Sequence, residues 1–536
     1  MNAKPLVALG AAQFLMVLDT SVMNVSISQL VEDFDTDVTT IQAVITVYTL
    51  VMAAFLITGG KLGDILGRRR AFAIGMVVYG VGSLLTAVAP TLPVLVIGWS
   101  VLEGLGGALV LPALAALVGG NFTGADRAMA YGVIGGLAGA GIAVGPLLGG
   151  WVTTYLTWRL VFAGEVVVVV FILLVLNWIT DVPPTGPRRR LDAVGAALSV
   201  LGLTLVVLGV LQSSVWGWLM PRDSPITILG FALTPFVIGA GLLTLGLLRS
   251  WLRHREEQGR EPLVRWALMD IPPLRATLST LLAQNLILLG LFFTIPLYLQ
   301  VVLGHDAFQT GLRLLPVSIT MLITAMSAPL LNRFLTPRQV VRLGFAVLVL
   351  ATLWLLAAVE PELNEASFAL AMAVLGIGMG LLAAQLGNVA QSSVGENDRS
   401  EVGGLQYTAQ NLGSSLGTAF IGSILIGVLT AATQFGIAAR PEISQAVQDE
   451  IGVAVHSGVN FVPVDQVRAA LQDAGIPGDE AAALIETYAD AQLLGLRVAF
   501  LTASAIALLS LFLTRNLPNT RLATRPNQPR EPAATG

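Results

Sequence analysis

Three carboxylates in this sequence lie where water is scarce. Asp19 sits in Val17-Leu-Asp-Thr-Ser-Val-Met-Asn24, Glu103 in Ser100-Val-Leu-Glu-Gly104, and Glu165 in Phe162-Ala-Gly-Glu-Val166, each within a long apolar run. An ionisable group inside a membrane is costly and marks a functional site by default. Burial disfavours the charged form of a carboxylate, so such a group can take up and release protons as its surroundings change. The chemistry on offer is proton binding or attraction of a cation. The structural alternative is a carboxyl group hydrogen-bonded for packing or helix register. Asn24, Gln284, Asn285, Asn388, Gln406, Gln410 and Asn411 also fall in apolar runs. They offer either interhelical hydrogen bonds or the polar lining of a cavity.

Other chemistries are poorly provided for. The absence of cysteine excludes disulfides, thiolate metal sites and cysteine nucleophiles. The three histidines, His254, His305 and His456, fall between the apolar runs and leave little room for a metal site. Gly413-Ser-Ser-Leu-Gly417 matches the Gly-x-Ser-x-Gly pattern, but that pattern needs a strand-to-helix elbow and this one lies in a glycine-rich apolar run. No phosphate-binding Gly-x-x-x-x-Gly-Lys-Ser/Thr loop occurs, so ATP is not expected as the driver. The expectation is a protein that is not an enzyme and uses neither metal nor cofactor.

The elements that must hold the acids are membrane helices. Of 536 residues, 55% are hydrophobic and 12% charged, against about 25% charged in soluble domains. The mean hydropathy is +0.79. This excludes an ordinary soluble enzyme and a disordered chain, and a net charge of −4 gives no reason to expect nucleic acid. A bilayer-crossing helix needs about 20 apolar residues. Fourteen stretches qualify, roughly 5–28, 41–62, 71–89, 94–118, 129–151, 160–180, 192–211, 226–248, 277–299, 313–331, 342–359, 366–390, 403–430 and 491–514. The first has no small-residue cleavage site and reads as a true first helix, not a signal peptide.

Basic residues mark the cytoplasmic face. With the N-terminus inside, only Arg159, Arg222, Arg313, Arg440, Arg468 and Arg497 of the 29 basic residues fall outside. Both termini are then cytoplasmic. The outer segments are acidic by contrast, with Glu32, Asp33, Asp35 and Asp37 after the first helix and Glu360, Glu362 and Glu365 after the eleventh. The largest outer segment, 431–490, reads as short amphipathic helices at 441–455 and 464–490 around a turn at 475–478, with a tail from 515 that looks disordered.

Two glycine patterns exceed what topology explains. Gly60-Lys-Leu-Gly63-Asp64-Ile-Leu-Gly67-Arg68-Arg-Arg70 reads as a cytoplasmic loop with a tight reversal. Eight glycines and Pro146 lie between Ala130 and Trp151, including Gly141, Gly145, Gly149 and Gly150. Small residues let membrane helices approach closely, and a proline permits a kink.

On these residues the chain resembles the major facilitator superfamily, and within it the 14-helix drug:proton antiporters of the EmrB/QacA type. The stretch 60–70 is similar to the superfamily's signature loop, and Gly141-x-x-x-Gly145-Pro146-x-x-Gly149-Gly150 to the antiporter motif of helix 5. Leu18-Asp19-x-Ser21-Val22-x-Asn24 is similar to the family's first-helix motif. In the second half Pro296-x-Tyr298-x-Gln300, Leu315-Pro316 and Gln410-Asn-Leu-Gly413-x-x-x-Gly417 agree as well. The resemblance spans about residues 10–515. It implies an all-α integral membrane fold: two six-helix bundles related by a pseudo-two-fold, with two extra central helices. The corresponding divisions are 1–190, 191–276 with its cytoplasmic linker, 277–514, and the tail 515–536. A shift of 268 residues lays 60–70 on Ala328–Arg338, with Asn332 in Asp64's place.

Two departures stand out. The family's helix 4 motif has an arginine, then two residues, then Gln-Gly, where this chain has Ser100-Val-Leu-Glu103-Gly104. After helix 5, where the family has neutral residues, this chain has Glu165. An arginine taken to assist proton coupling is gone, and two acids have appeared.

The resemblance implies a secondary active exporter, working by alternating access with its site near the midplane between bundles. A proton gradient would drive it, with Asp19, Glu103 and Glu165 as proton acceptors and a cationic amphiphile as the suited substrate. Gly60, Gly63, Asp64, Gly67, Arg68 and the helix 5 glycines with Pro146 would serve the conformational switch. The other partners expected are protons and membrane lipids, for a monomer in the cell membrane. The alternative is a lipid or glycolipid exporter on the same fold.

Overall fold

The computed structural model describes residues 3–36, 38–181, 190–221, 224–332, 334–395, 398–440, 443–444, 447–448, 461–476 and 478–520. Arg188, Arg189, Arg222, Arg333, most of 441–455 and the tail from 521 lie outside the described residues, as do the side chains of Asn24 and Pro146.

In an apolar medium the backbone must satisfy its own hydrogen bonds, which leaves helices as the solution for these runs. Six long helices form the first half: α1 Ala3–Val25, α2 Val38–Leu66, α3 Arg68–Ala87, α4 Leu92–Asn121, α5 Gly124–Tyr155 and α6 Arg159–Leu174. Two more follow, α7 Ala193–Trp216 and α8 Thr234–Glu257. The second half is α9 Pro272–Val302, α10 Ala307–Leu331, α11 Pro337–Ala357, α12 Glu365–Ser392, α13 Arg399–Ala439 and α14 Gly478–Leu513. Among the described residues, twelve of these are long and apolar enough to cross a membrane, and α5 and α6 occupy the places of the fifth and sixth expected spans. Helix starts carry local signals: Asp192 caps α7, Asn364 caps α12, and Thr336 with Gln339 forms a capping box on α11.

Each half has its own core. Trp99, Trp158, Tyr48 and Tyr79 are buried in the first, Tyr298, Phe345, Phe368 and Phe500 in the second. Large apolar side chains such as Val81, Leu84, Leu174, Leu243, Leu350 and Leu508 point outward, as a lipid-facing surface requires. The halves meet along α2–α13, α5–α10, α5–α12 and α4–α13, and α7 rests on both α2 and α13.

Two expectations need correction, and one helix carries an irregularity that hydropathy does not report. The stretch 60–70 is not a loop: α2 stays helical to Leu66, and only Gly67, with φ 92°, breaks it before α3 begins at Arg68. Helix four is not uniform, because Val96–Glu103 forms a π-helical stretch. The last span does not start afresh near 491: it is continuous with the segment before it, in one helix from Gly478, whereas the expected turn is present at Gly475, with φ 70°. A 41-residue helix such as α13 is about 60 Å long, twice the hydrocarbon thickness. It therefore projects well beyond the bilayer. There it packs against the start of α14, with Ile437, Ala483 and Leu484 in one cluster and Arg440 paired with Glu486 at 2.6 Å. Burying these apolar residues against each other is what extends both helices into the outer segment.

Candidate functional site

Asp19 from α1, Glu103 from α4 and Glu165 from α6 come together. Each offers a carboxylate oxygen, and these oxygens lie within 4.8 Å of one another. Their exposures are 0%, 0% and 2%. Neutral donors hold two of them. Trp99 Nε1 donates to Asp19 Oδ1 at 2.8 Å. Tyr79 Oη donates to Glu165 Oε2 at 3.1 Å, and Ser83 Oγ lies 3.1 Å from the same oxygen. Neither oxygen of Glu103 has a hydrogen-bond partner among the described residues.

The π-helical stretch of α4 carries both Trp99 and Glu103 into this site. Such widened turns recur at functional positions. Here the stretch is supported by Ser100, whose Oγ donates to the Val44 carbonyl of α2 at 2.8 Å, and by Trp99 stacked on Tyr48 at 4.6 Å. Gly82 of α3 lets the two helices touch, since a Cβ there would lie 2.7 Å from both Glu103 Cγ and the Gly98 carbonyl. All these groups belong to the first half, so the three acids are enclosed within it and do not lie at the seam between halves. Gln284 is buried and Asn285 half-buried on α9, where Asn285 bonds its own helix at the Leu281 carbonyl; Gln410 is half-buried on α13. None of the three joins the acids. Asn388 is buried beside Ser392 at the opposite, basic end of the molecule.

That end holds a second polar assembly. Lys61, Asp64 and Arg68 are buried near the α2–α3 break. Arg68 Nε donates to Ser400 Oγ of α13 at 3.2 Å, and Arg399 donates to the Gly119 carbonyl of α4 at 2.9 Å. Arg127 reaches Ser392 at 3.1 Å, and Tyr407 Oη donates to Gln13 at 2.9 Å. Gly60 and Gly63 lie under Ser400, where a Cβ on Gly60 would stand 2.8 Å from the Ser400 carbonyl oxygen. These glycines thus allow helix contact across the seam, and only Gly67 serves a turn. At this end the halves are closed on one another.

The α5 glycines divide between two faces. A Cβ on Gly141, Gly145 or Gly149 would press on Val17, Ser21 or Val22 of α1, at 3.1, 2.1 and 3.1 Å. On Gly132, Gly136 or Gly139 it would press on Ala325, Leu322 or Met321 of α10, across the seam. Ser318 of α10 donates to the Gly139 carbonyl at 2.9 Å. Gly150 is half-buried, and α5 continues through Pro146. The Gly-x-Ser-x-Gly match at 413–417 also has a packing cause: Gly413 and Gly417 sit against the Leu282 and Leu286 carbonyls of α9.

Sequence reading missed Tyr48, Tyr79, Ser83, Trp99, Gln13, Ser400, Glu401 and Tyr407. Tyr79 and Ser83 carried a usable signal, since an i, i+4 polar pair on an apolar helix shares one face. Trp99 and Tyr48 carried none, because aromatics in membrane helices are ordinary core.

Comparison with known proteins agrees with this architecture. The family model described as Major Facilitator Superfamily matches residues 9–418. The chain is 27% identical to the tetracenomycin C resistance and export protein of Streptomyces glaucescens, over 94% of this chain and 89% of that one. It is 31% identical to a cephamycin export protein of Amycolatopsis lactamdurans, over 83% and 88%, and 26% identical to a multidrug efflux pump of Mycolicibacterium smegmatis, over 91% and 95%. Among solved structures, the human organic anion transporter MFSD10 superimposes with a TM-score of 0.59 at 14% identity, covering 96% of this chain and 99% of that one. With two six-helix halves, a closed seam and a family match over most of its length, the chain is a transporter belonging to the Major Facilitator Superfamily.

Proposed function

We propose that this protein exports small hydrophobic or amphipathic compounds, cations among them, across the cell membrane in exchange for protons. The observation that carries the reading is the enclosed trio Asp19, Glu103 and Glu165, whose bonded partners are neutral. Like charges this close and out of water repel strongly, so the trio holds protons, and its charge changes as they leave. Enclosure within the first half separates the proton site from a substrate path between the halves. Coupling is then conformational: proton loss from the trio changes how α1, α4 and α6 pack, and with them the seam that α5 shares with α10. A ligand shifts such an equilibrium only by binding one state better than the other.

Further parts of the reading follow. All fourteen helices span the bilayer, and the basic end with both termini faces the cytoplasm. The divisions are 1–190, 191–276 and 277–514, the molecule acts as a monomer, and no cofactor is needed beyond the proton gradient. Asp64, Arg68 and the glycines of α2 and α5 serve the switch. Asn24, Gln284, Asn285 and Gln410 line the substrate path, and Asn388 belongs to the closing seam. Relatives named for export of antibiotics and drugs favour drug over lipid export.

The test is substrate-induced proton release from proteoliposomes, for wild type and for Asp19→Asn, Glu103→Gln and Glu165→Gln, screening lipophilic cations alongside a fluorescent lipid. Proton release by a cation, lost in at least one variant, supports the reading. Proton-independent passage of the lipid alone overturns it.

A further inference from the structure

The two inserted helices have no role in the account so far, yet the segment joining α8 to α9 reaches the closed basic end. Its course is held at three points. Asp192, the buried cap of α7, accepts from Leu263 N at 3.2 Å and from Trp251 Nε1 of α8 at 3.1 Å. This fastens the linker to the inserted pair. Leu263 and Val264 are then buried in one cluster with Leu252 of α8, Ala390 of α12 and Val402 of α13, with Ile57 of α2 packed against it. One residue later, the Arg265 backbone N–H donates to Glu401 on the first turn of α13, its Nε lies 3.8 Å from the other Glu401 oxygen, and its guanidinium pairs with Asp398.

Glu401 is the focus of this contact. Its side chain is 1% exposed. Ser400 next to it takes the Arg68 bond, and Gly404 one turn on lies against Gly60. Lys61 and Asp64 of the first half act on it electrostatically. A buried carboxylate needs partners, and losing one is costly. Arg265 supplies a cation and a backbone donor from a segment that belongs to neither half.

We propose that the inserted pair is a third member of the gate: the linker is a latch, and Arg265, Asp398 and Glu401 are positioning residues that hold the basic end shut. When the halves part there, α13 moves relative to α2. Because α7 rests on both and Asp192 ties the linker to α7, the linker cannot follow both halves. Release of Arg265 from Glu401 is therefore a step in opening. The proposal rests on alternating access but not on the acids' being the proton carriers.

The chain's lack of cysteine makes a clean test possible. Ser400→Cys places one thiol beneath the seam, and its maleimide labelling rate in inside-out vesicles reports opening, with neither substrate nor proton gradient present. Arg265→Ala is expected to raise that rate about tenfold, as losing one partly buried ion pair shifts an open–closed equilibrium. Asp398→Asn should raise it less, Arg265→Lys should restore most of the closure, and Arg260→Ala on the exposed part of the linker should leave it unchanged. In transport, Arg265→Ala should change Vmax with KM kept. Labelling equal to wild type in both Arg265→Ala and Asp398→Asn overturns the latch. A failure of proton coupling with labelling still raised would sink the antiporter reading and leave the latch standing.

Discussion

Glu103 is the residue with most at stake, because neither of its buried oxygens has a partner among the described residues. An amide in its place cannot ionise, so it removes the repulsion that arises when more than one of the acids loses its proton, and it can donate toward Asp19 Oδ2 or Glu165 Oε1, both buried acceptors with no bonded partner among the described residues. Glu103→Gln is therefore expected to raise Tm at pH 8, by about 1–2 kcal/mol of stability, while losing coupled transport, the usual trade at a strained functional site. A fluorescence-detected melt in detergent beside the proteoliposome assay checks both. A lower Tm would mean that Glu103 is held by bonds that a carboxylate alone can make. Glycine positions give a second residue-scale contrast. Gly145→Ala would drive a Cβ to 2.1 Å from Ser21 Oγ, whereas nothing lies within 4 Å of the position a Cβ would take on Gly164. The first change should cost about 1–3 kcal/mol by overpacking. The second should be neutral or slightly stabilising, as alanine is in a helix. Equal melting temperatures for the two variants would show that the α1–α5 contact is looser than described.

Elements were placed by hydropathy, and their ends by contacts that hydropathy does not report. Each of the fourteen apolar runs overlaps a helix among the described residues, and twelve of those helices are long and apolar enough to cross a membrane. Yet α2 runs through glycines that read as a loop, because Gly60 and Gly63 are needed for contact with α13 and only Gly67 adopts positive φ. Helix ends at the face away from the basic end are also pinned by polar pairs. Arg159 at the start of α6 bonds Asp33 at 2.5 Å and stacks on Trp158, whose Nε1 donates to the same carboxylate at 2.8 Å. Partial burial alone would raise the Asp33 pKa, but the Trp158 bond and the Arg159 charge outweigh it and hold it below 3.8. A carboxyl whose folded pKa is depressed contributes stability above its unfolded pKa, and this is lost as pH falls through the folded value. Asp33→Asn should thus lower Tm slightly at pH 7, by a few tenths to about 1 kcal/mol for a solvent-screened pair. The deficit should shrink to nothing as the pH drops below the folded value. A pH series of melts on both proteins checks it, and a deficit that does not shrink at all as the pH falls would assign the effect to packing against Trp158.

At the scale of the molecule, closure at one end is the central fact. Arg68, Arg399, Arg127 and Tyr407 all bond across the seam at the basic end, which the orientation proposed above, resting on the positive-inside bias, turns toward the cytoplasm. Fusing green fluorescent protein to the C-terminus should give fluorescent cells, and fusing alkaline phosphatase there should give an inactive enzyme. The reverse pattern would invert the orientation and with it the direction of transport. Alternating access further requires that this closure be one of two states. The α5 glycines, which serve α1 on one face and α10 on the other, are where a change inside the first half can reach the second.

Much of this was legible in the linear chain for a simple reason. The all-helical class and the membrane placement follow from free energies that add along the sequence, residue by residue: apolar transfer and backbone hydrogen bonding. The three costly acids announced themselves on the same ground, each being expensive wherever its helix ended up. Their meeting did not. Asp19, Glu103 and Glu165 lie on different helices, and their distances depend on how α1, α3, α4 and α6 rotate and cross, which is set by packing around Gly82, Trp99 and Tyr48. The same holds for the basic end. Lys61, Asp64 and Arg68 were visible as a motif, but Ser400, Glu401 and Arg265 acquire a role only when two halves and a linker, more than a hundred residues apart in the chain, are brought into one contact.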